Sequence, residues 1–462
     1  MITGEVTYVL PLLLATVQAV EQGAQDPEAG LSDLVQFEFG DVTGGDVCPF
    51  GRIVPAEAFG ARQLAGTVQA ALLALAQADE NIPQCGPVNK IRFPDRSTGW
   101  LITGHAEAKE AFGHPAISKR IGSDAAATAL RANGAGHQLQ GGPFAHMLVF
   151  YDPPEHARLR TLLNQALSSR AVSVLEPRIT EIADALLTGM APAADAGQDL
   201  LDTYAVPLAM TVICELLGVP QSDRTKFEAW STVIVSSEYS PRERMTAAAE
   251  FVAYIDGLIA AKAAAPESDL LSELIAAEQD GDRLTARELT SMVLVLLVAG
   301  FETTANLIGN AVAMLLSDNI SRDRLRSDPD RIPAFLEEVL RFRPPASETT
   351  FRFTTAPLEL GGHGIDAGEL IVISVAAADR DPRTFDHPER ADIDRGNNRQ
   401  HLAFGHGIHF CVGAPLARMG GAVGVARLLH TYPDLQLAGA EPQLRTSFAI
   451  RGLTALHVRL RP

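Results

Sequence analysis

The sequence predicts a mainly α-helical protein with a small β-rich subdomain, and two observations support this prediction. Between residues 150 and 343, apolar residues recur at the spacing of one helix face in stretch after stretch, and the pattern returns at residues 411–432. Within residues 351–375, glycines and alternating apolar runs replace that spacing. Such a segment is typical of β-hairpins.

The predicted helices follow in chain order, and some have recognisable ends. The first opens at Asp152-Pro153-Pro154-Glu155, where Asp152 suits an N-cap and the prolines suit a first turn. The helix that starts at Pro333 is ended by Pro344-Pro345. The helical stretches are 152–170, 173–190, 200–217, 222–237, 241–264, 268–277, 285–317, 333–343 and 411–432.

The remaining segments are predicted to be loops and strands. Residues 121–146 are rich in glycine and alanine, which indicates a long flexible loop. Residues 380–400 are rich in turn-forming residues, and the last twenty residues have the character of strands. No linker interrupts residues 85–462, so we expect residues 81–462 to form a single domain.

Residues 1–80 are predicted to be an N-terminal extension of unknown role that packs on this domain. Its apolar segment, residues 8–20, is short for a membrane span and contains Pro11. No lysine or arginine precedes that segment, which argues against a signal peptide. We expect a buried or partner-packing helix there, whereas residues 41–52 match no motif.

Composition and charge exclude several classes of function. Apolar residues make up 47% and charged residues 20% of the 462 residues, as in ordinary soluble globular proteins. The net charge of −18 argues against a nucleic-acid partner, because phosphate binding needs clustered lysine and arginine. The cysteines are too far apart for a zinc knuckle or a disulfide framework, which predicts a protein of the reducing cytoplasm. They are Cys48, Cys85, Cys214 and Cys411.

Residues 292–316 form an apolar run that is long enough to span a bilayer. No asymmetry of flanking lysine and arginine supports insertion, so we expect a helix in the centre of the protein and no membrane partner. The buried carboxylate of Glu302 would be costly unless it is paired, hydrated or used. The polar residues that interrupt the run are Glu302, Thr303, Thr304, Asn306 and Asn310.

The strongest functional signal is the segment Phe404-Gly405-His406-Gly407-Ile408-His409-Phe410-Cys411-Val412-Gly413. Its glycines let the backbone approach a flat ligand, and the helix that follows turns its N-terminal amides towards Cys411. Such amides stabilise thiolate, the form of cysteine that binds metals. One thiolate without a second cysteine nearby fits haem iron better than zinc. The alternative is a buried, inert cysteine beside a glycine turn.

This segment, continued by Ala414-Pro415-Leu416-Ala417-Arg418, resembles the cysteine-ligand loop of the soluble bacterial cytochrome P-450 (haem-thiolate monooxygenase) superfamily. The similarity covers about residues 85–462 and includes three further motifs in the family's order. They are His156-Ala157-Arg158-Leu159-Arg160, Ala299-Gly300-Phe301-Glu302-Thr303-Thr304, and Glu338-Val339-Leu340-Arg341 with Arg343-Pro344-Pro345. The resemblance implies a triangular, mostly helical fold with a long central helix over the haem.

The resemblance also implies site residues. Cys411 would be the axial ligand of the iron in haem b, and Thr303 with Glu302 would form the catalytic acid–alcohol pair. No C-x-x-C-H motif occurs, so covalent attachment of haem is not expected. Further cofactor-binding residues would be His156, Arg160, Ala299, Arg352, Phe404, Gly405, His409 and Gly413.

Two groups of charged residues in these motifs can also be interpreted from their spacing and charge. His156 and Arg160 lie four apart on one helix face and are donors that would meet the charge of the haem propionates. Glu338 and Arg341 lie three apart, so they would form an ion pair that braces the cysteine loop. The resemblance implies Arg395 as the third member of this group. Solvated surface charges are the alternative in both cases.

The implied activity is that of an oxidoreductase, a monooxygenase that activates O2 and hydroxylates or oxidatively couples a small organic, secondary-metabolite substrate. No flavin or ferredoxin module follows the last strands, so electrons derived from NAD(P)H are expected through a ferredoxin or flavodoxin with a separate reductase. A peroxide-driven peroxygenase, which usually lacks the acid–alcohol pair, and a non-catalytic haem sensor are the alternatives. The oligomeric state is left open, with a monomer favoured.

The substrate is also left open, because the segments expected to line its pocket are loops and helix ends. Glu348, if it faces the pocket, would favour a cationic or hydroxylated substrate. Arg158, Arg418 and Arg427 are expected to supply positive charge where an electron donor docks over the cysteine loop. The lining segments are 121–146, 225–245, 347–350 and 448–453.

Overall fold

A computed structural model describes most of the chain after residue 85. The N-terminal extension 1–80, with its segments 8–20 and 41–52, lies outside the described residues, as do most of the loop 121–146 and residues 446–449. The described residues are 86–92, 98–120, 123–127, 147–167, 172–193, 197–235, 241–279, 282–439, 441–445 and 450–460.

Helices dominate the described part of the chain, which confirms the predicted fold class. The long central helix, α8, and the helix after the cysteine loop, α12, begin within three residues of their predicted starts. The helices are α1 (His105–Gly113), α2 (Glu155–Ala166), α3 (Glu176–Met190), α4 (Val206–Leu216), α5 (Arg224–Val235), α6 (Pro241–Ala264), α7 (Leu270–Ala276), α8 (Ala286–Ser317), α9 (Asn319–Ser327), α10 (Ile332–Phe342), α11 (Val375–Ala378) and α12 (Ala414–Thr431).

The strands are short and belong to small sheets. The largest sheet has the order β1-β2-β10-β7-β3, in which β10 runs parallel to β2 and antiparallel to β7. The strands are β1 (Val88–Arg92), β2 (Thr98–Ile102), β3 (Ile117–Ser118), β4 (Gln198–Asp199), β5 (Glu278–Gln279), β6 (Asp282–Arg283), β7 (Arg352–Thr354), β8 (Leu358–Leu360), β9 (His363–Ile365), β10 (Leu370–Ile373), β11 (Gln436–Leu437) and β12 (His457–Arg459).

The β-hairpin expected within residues 351–375 is present as β8 and β9, which pair antiparallel. Gly361 and Gly362 form its turn with φ of +57° and +81°, a backbone region that favours glycine. The strands β1 and β2 and the helices α1 and α9 were not predicted. β2 gains a neighbour that lies about 270 residues later in the chain, β10, and no local pattern encodes that pairing.

The central helix α8 lies in the core of the fold. It starts at a capping box, in which Thr285 and Glu288 satisfy each other's backbone amides. By length and composition it could cross a membrane, but 88% of its most apolar window is buried inside the protein. The prediction of a central buried helix is therefore confirmed. Gly300 lets α4 approach closely, because a Cβ atom there would lie 3.0 Å from the Ile213 side chain.

Candidate active site

The cysteine loop, Phe404–Gly413, is shaped by its glycines and closed by a backbone hydrogen bond. Gly405 and Gly407 adopt φ of +71° and +72°, which side-chain-bearing residues rarely adopt. The amide of Cys411 donates to the carbonyl oxygen of Phe404 at 2.9 Å, and α12 begins three residues after Cys411. The thiol is therefore held at the N-terminal end of α12 and is partly accessible.

The other described cysteine has a different environment. Cys214 is fully buried in α4, and burial raises the pKa of its thiol to about 12. A thiol with such a pKa stays protonated near neutral pH and is a poor metal ligand. Cys48 and Cys85 lie outside the described residues.

The residues of the E-x-x-R motif form a buried ion pair. The Arg341 guanidinium binds both carboxylate oxygens of Glu338, at 2.9 and 2.8 Å, and both side chains are 0% exposed. Arg341 also donates to the carbonyl oxygens of Asp379, Pro388 and Arg390. The pair therefore ties α10 to the segment that leads into the cysteine loop.

Arg395 joins this pair, as the resemblance implied. Its Nε atom donates to Glu338 Oε1 at 3.2 Å, and its other donors bind backbone carbonyls of residues 386, 387 and 390. The backbone amide of Asp392 donates to the same Glu338 oxygen at 2.9 Å. Glu338 is thus satisfied by two cations and an amide, which offsets the cost of burying its charge.

A second network supports the cysteine loop from the neighbouring residue of α10. Glu337 accepts two hydrogen bonds from Arg418, at 2.6 and 2.9 Å, and one from His401 at 3.2 Å. Burial opposes ionisation of Glu337, but these partners outweigh it and lower its pKa to about 2. The Arg418 guanidinium also stacks on the Phe404 ring at 4.5 Å, so the network reaches the residue that accepts the Cys411 amide.

Four predicted cofactor-binding residues gather near the cysteine loop. The rings of His156 and His409 lie 4.3 Å apart, and both side chains are largely buried. Arg160 stands one turn after His156 on α2, and the charges of Arg160 and Arg352 both act on His409. The structure therefore brings together residues that are up to 253 positions apart in the chain.

Lys119 joins this group and was missed by the sequence analysis. It is buried, its ammonium group binds the Thr350 hydroxyl, and its charge acts on both His156 and His409. Its position after β3, which pairs with β7, carries it towards Arg352. A lone lysine in a stretch without a motif has no signal that sets it apart from a surface lysine.

The basic cluster, defined as Lys119, His156, Arg160, Arg352 and His409, fits a dianionic group. His156 Nε2, Arg160 Nη1 and both ring nitrogens of His409 are buried without a hydrogen-bond partner among the described residues. Burial, followed by the charge of Arg160, lowers the pKa of His156 to about 4, and burial with the surrounding cations lowers that of His409 further. Acceptor oxygens with negative charge would satisfy these donors and reverse both effects. Two propionates have that chemistry.

The acid–alcohol pair lies in the middle of α8. Thr303 Oγ1 donates to the carbonyl oxygen of Ala299 at 2.8 Å, the bond expected of any threonine inside a helix. Glu302 is buried, and one of its carboxylate oxygens accepts a hydrogen bond from Arg445 at 2.9 Å. Burial raises the pKa of Glu302, and the Arg445 charge opposes that rise. Ala299 and Val295, one and two turns before Thr303, are both buried.

Comparisons with known proteins place this geometry in a family. A family model described as Cytochrome P450 matches residues 332–447. The chain is 43% identical to cytochrome P450 107B1 of Saccharopolyspora erythraea over 381 residues, which cover 81% of this chain and 92% of that protein. The chain belongs to the cytochrome P450 family. It is also 42% identical to the vitamin D(3) 25-hydroxylase of Pseudonocardia autotrophica over 380 residues, which cover 81% and 91% of the two chains.

The solved structures agree with this assignment. The cytochrome P450 enzyme CxnD, described as acting in C–S bond formation in chuangxinmycin biosynthesis, superposes with a TM-score of 0.75 at 34% identity, over 84% of this chain and 94% of that chain. The predicted P450 fold is therefore confirmed. So is the predicted class of activity: the protein is a haem-dependent monooxygenase of the kind that hydroxylates or oxidatively couples small organic substrates.

The structure corrects the expectation that three arginines of this P450 supply unpaired positive charge for an electron donor. Arg158 pairs with Glu288, Arg418 pairs with Glu337, and Arg427 pairs with Asp184. These arginines are therefore largely neutralised, and Arg418 is part of the support of the cysteine loop. A charge reversal at Arg418 would disturb the site itself, because it would place two carboxylates together.

Glu348, which was considered as a substrate contact, is buried among hydroxyl groups. Its carboxylate binds the hydroxyls of Ser347 and Ser374, and its backbone pairs with Ser374 beside β10. Ser374 in turn caps α11 through the amide of Ala377. These contacts give Glu348 a structural role between the strand and the short helix.

Proposed function

We propose that this cytochrome P450 holds haem b through Cys411 as the axial iron ligand, without covalent attachment of the porphyrin. The observation that carries the proposal is the accessible thiol of the cysteine loop, set at the N-terminal end of α12. The basic cluster supports it, because the nitrogens of His156, Arg160 and His409 that lack partners among the described residues match the two propionates of haem b. When bound, haem supplies the reductive activation of O2 and the oxidation of the substrate.

The basic cluster would anchor the cofactor by charge-assisted hydrogen bonds. Arg160→Gln should therefore weaken haem binding about 10- to 100-fold, since such a bond contributes about 1.5–3 kcal/mol. The measurement is the rate and extent of haem transfer to excess apomyoglobin. Arg178→Gln is a matched control, because Arg178 is exposed on α3 and pairs with Glu215. Equal haem affinity in the two variants would contradict the proposed role of the cluster.

We assign proton delivery to Thr303 and Glu302. The Thr303 hydroxyl would exchange its bond with Ala299 for a water molecule in the pocket, and would hold that water at Oγ1. Glu302, whose second oxygen is buried without a partner among the described residues, would pass protons to that water. The pair also disfavours the peroxygenase alternative, because a peroxide-driven enzyme does not need to protonate dioxygen.

Thr303→Ala should divert electrons into hydrogen peroxide while haem content, substrate binding and NAD(P)H consumption remain. We expect the product formed per NAD(P)H to fall by about tenfold or more, the lower end of the contribution of a positioned proton-transfer group. Thr304→Ala is the matched control, because it removes the same type of hydroxyl from the next residue of α8. The Thr304 hydroxyl donates to the carbonyl oxygen of Gly300, and the Thr304 side chain packs on Gly420 of α12. Wild-type coupling in Thr303→Ala would reject the assignment.

Electrons would come from NAD(P)H through a ferredoxin or flavodoxin with a separate reductase, and we place the protein in the cytoplasm. The surface beside Cys411 exposes Ile408 and Phe410, 49% and 41% accessible, which suits transient contact with a partner. Turnover with NAD(P)H and surrogate redox partners tests the function. If the reaction is hydroxylation, the product should contain an oxygen atom from O2. If the reaction is coupling, a ring or a thioether should form without incorporation of oxygen.

A further inference from the structure

Three polar residues of the central helix share one face and contact the C-terminal segment, residues 441–445 and 450–453. Glu302, Asn306 and Asn310 are spaced four apart, so they stand in line along α8. Asn310 Nδ2 donates to the carbonyl oxygens of Arg343 and Arg451, both at 3.1 Å. Glu302, Asn306 and Asn310, which interrupt the otherwise apolar helix, thus form a polar stripe along α8.

The C-terminal segment lies tightly against this stripe. Gly452 faces Asn306 so closely that a Cβ atom at Gly452 would lie 2.3 Å from Asn306 Oδ1. Leu444 and Leu453 pair antiparallel, and the Arg445 amide donates to the carbonyl oxygen of Gly452 at 2.7 Å. The backbone of Arg445 is therefore fixed relative to α8 by contacts that do not involve its own side chain.

From this position, the Arg445 side chain binds Glu302, the first residue of the polar stripe. Its Nη1 atom lies 2.9 Å from Glu302 Oε1, and the two residues are 143 positions apart in the chain. The Glu302 side chain is 10% exposed, whereas that of Arg445 is 44% exposed. In this ion pair, the carboxylate of Glu302, the proposed proton donor, is thus buried, whereas the Arg445 side chain is in contact with solvent.

We propose that Arg445 is a positioning residue that fixes the buried Glu302 carboxylate on α8 and connects it to the solvent. The proposal rests on the proposed role of Glu302 in proton delivery. One carboxylate oxygen is held by Arg445, and the other is buried without a hydrogen-bond partner among the described residues. Without Arg445, Glu302 would be a buried carboxylate with no cation among the described residues to favour its charged form.

The charge of Arg445 should therefore govern when Glu302 is protonated. Among the described residues, Arg445 is the charged group that acts on Glu302. Removing a cation favours the protonated carboxyl, so the pKa of Glu302 should rise in Arg445→Gln. An adjacent opposite charge shifts a carboxyl pKa by about 1–3 units. We expect about one unit, because Arg445 is half exposed and partly screened by water.

The test is a pH titration of the holoprotein by infrared difference spectroscopy, with the carboxyl stretch of Glu302 assigned by its loss in Glu302→Gln. The midpoint should rise by about one pH unit in Arg445→Gln and stay near the wild-type value in Arg445→Lys. Arg459→Gln, which removes the same charge from an exposed position on β12, should leave the midpoint unchanged. A wild-type midpoint in Arg445→Gln would overturn the proposal.

The pH profile of coupled turnover separates this proposal from the proposed function. The apparent pKa of turnover should move upwards with the infrared midpoint in Arg445→Gln, and Arg445→Gln should have no further effect in the Glu302→Gln background. If the infrared midpoint moves but the turnover profile does not, Arg445 positions Glu302 and the proton-delivery role of Glu302 is rejected. If both stay at the wild-type value, Arg445 is not a positioning residue.

Discussion

Cys411→Ala should abolish the strongly red-shifted Soret band that a thiolate ligand gives to the reduced, carbon monoxide-bound protein. Product formation with NAD(P)H should fall to background, because the variant would lack the proposed thiolate ligand of the iron. The basic cluster is untouched, so some haem should still bind. The measurements are the carbon monoxide difference spectrum and turnover with surrogate redox partners.

Cys214→Ala is the control for this substitution. Cys214 is the other cysteine that the structure describes; it is buried in α4, and its pKa of about 12 keeps it protonated. The variant should keep the thiolate band and wild-type turnover, at a modest cost in stability from a small buried cavity. If the thiolate band survived in Cys411→Ala, the ligand assignment would be wrong.

Arg341→Met should destabilise the fold by about 3–5 kcal/mol, the range for removing one partner of a buried ion pair. The substitution leaves Arg395 as the remaining cation on the buried Glu338 among the described residues, and it leaves three backbone carbonyls without the hydrogen bonds that Arg341 now donates. Because these carbonyls belong to the segment leading to the cysteine loop, holoprotein yield should fall as well. Chemical denaturation followed by far-ultraviolet circular dichroism measures the stability.

The control replaces an arginine of an exposed ion pair. Arg324 on α9 binds Asp394 at 2.9 Å, and the two side chains are 52% and 48% exposed. Arg324→Met should cost about 0–1 kcal/mol, because water screens such pairs and solvates the partner left behind. Equal losses of stability in the two variants would show that burial of the Glu338–Arg341 pair does not matter.

Much of the site could be predicted from short, contiguous patterns. The cysteine loop combines glycines, a cysteine and a helix start within about ten residues, so its chemistry is local. Glu338 and Arg341 share a helix face at a spacing of three, and the structure joins them. The helical periodicity also located the central helix and the helix after the cysteine loop.

Other parts of the site depend on contacts between distant segments. Arg445 reaches Glu302 only because the C-terminal segment docks on the polar stripe of α8. Lys119 joins the basic cluster only because β3 pairs with β7. The three arginines expected to attract an electron donor proved to be paired with acids, because a sequence shows charges without their neighbours.

The sequence by itself determined the mainly helical fold class, the position of the cysteine loop and the presence of an acid and an alcohol in the central helix. These features follow from residue type and local spacing, which act over one or two helical turns. The tertiary structure alone decided which charges are paired, which donors lack acceptors, and which cation holds Glu302. Burial and electrostatic pairing depend on atoms brought together by packing, and their energies are set by distance and solvent exposure. The same arginine side chain therefore stabilises the core at Arg341, supports the cysteine loop at Arg418, and positions an acid at Arg445.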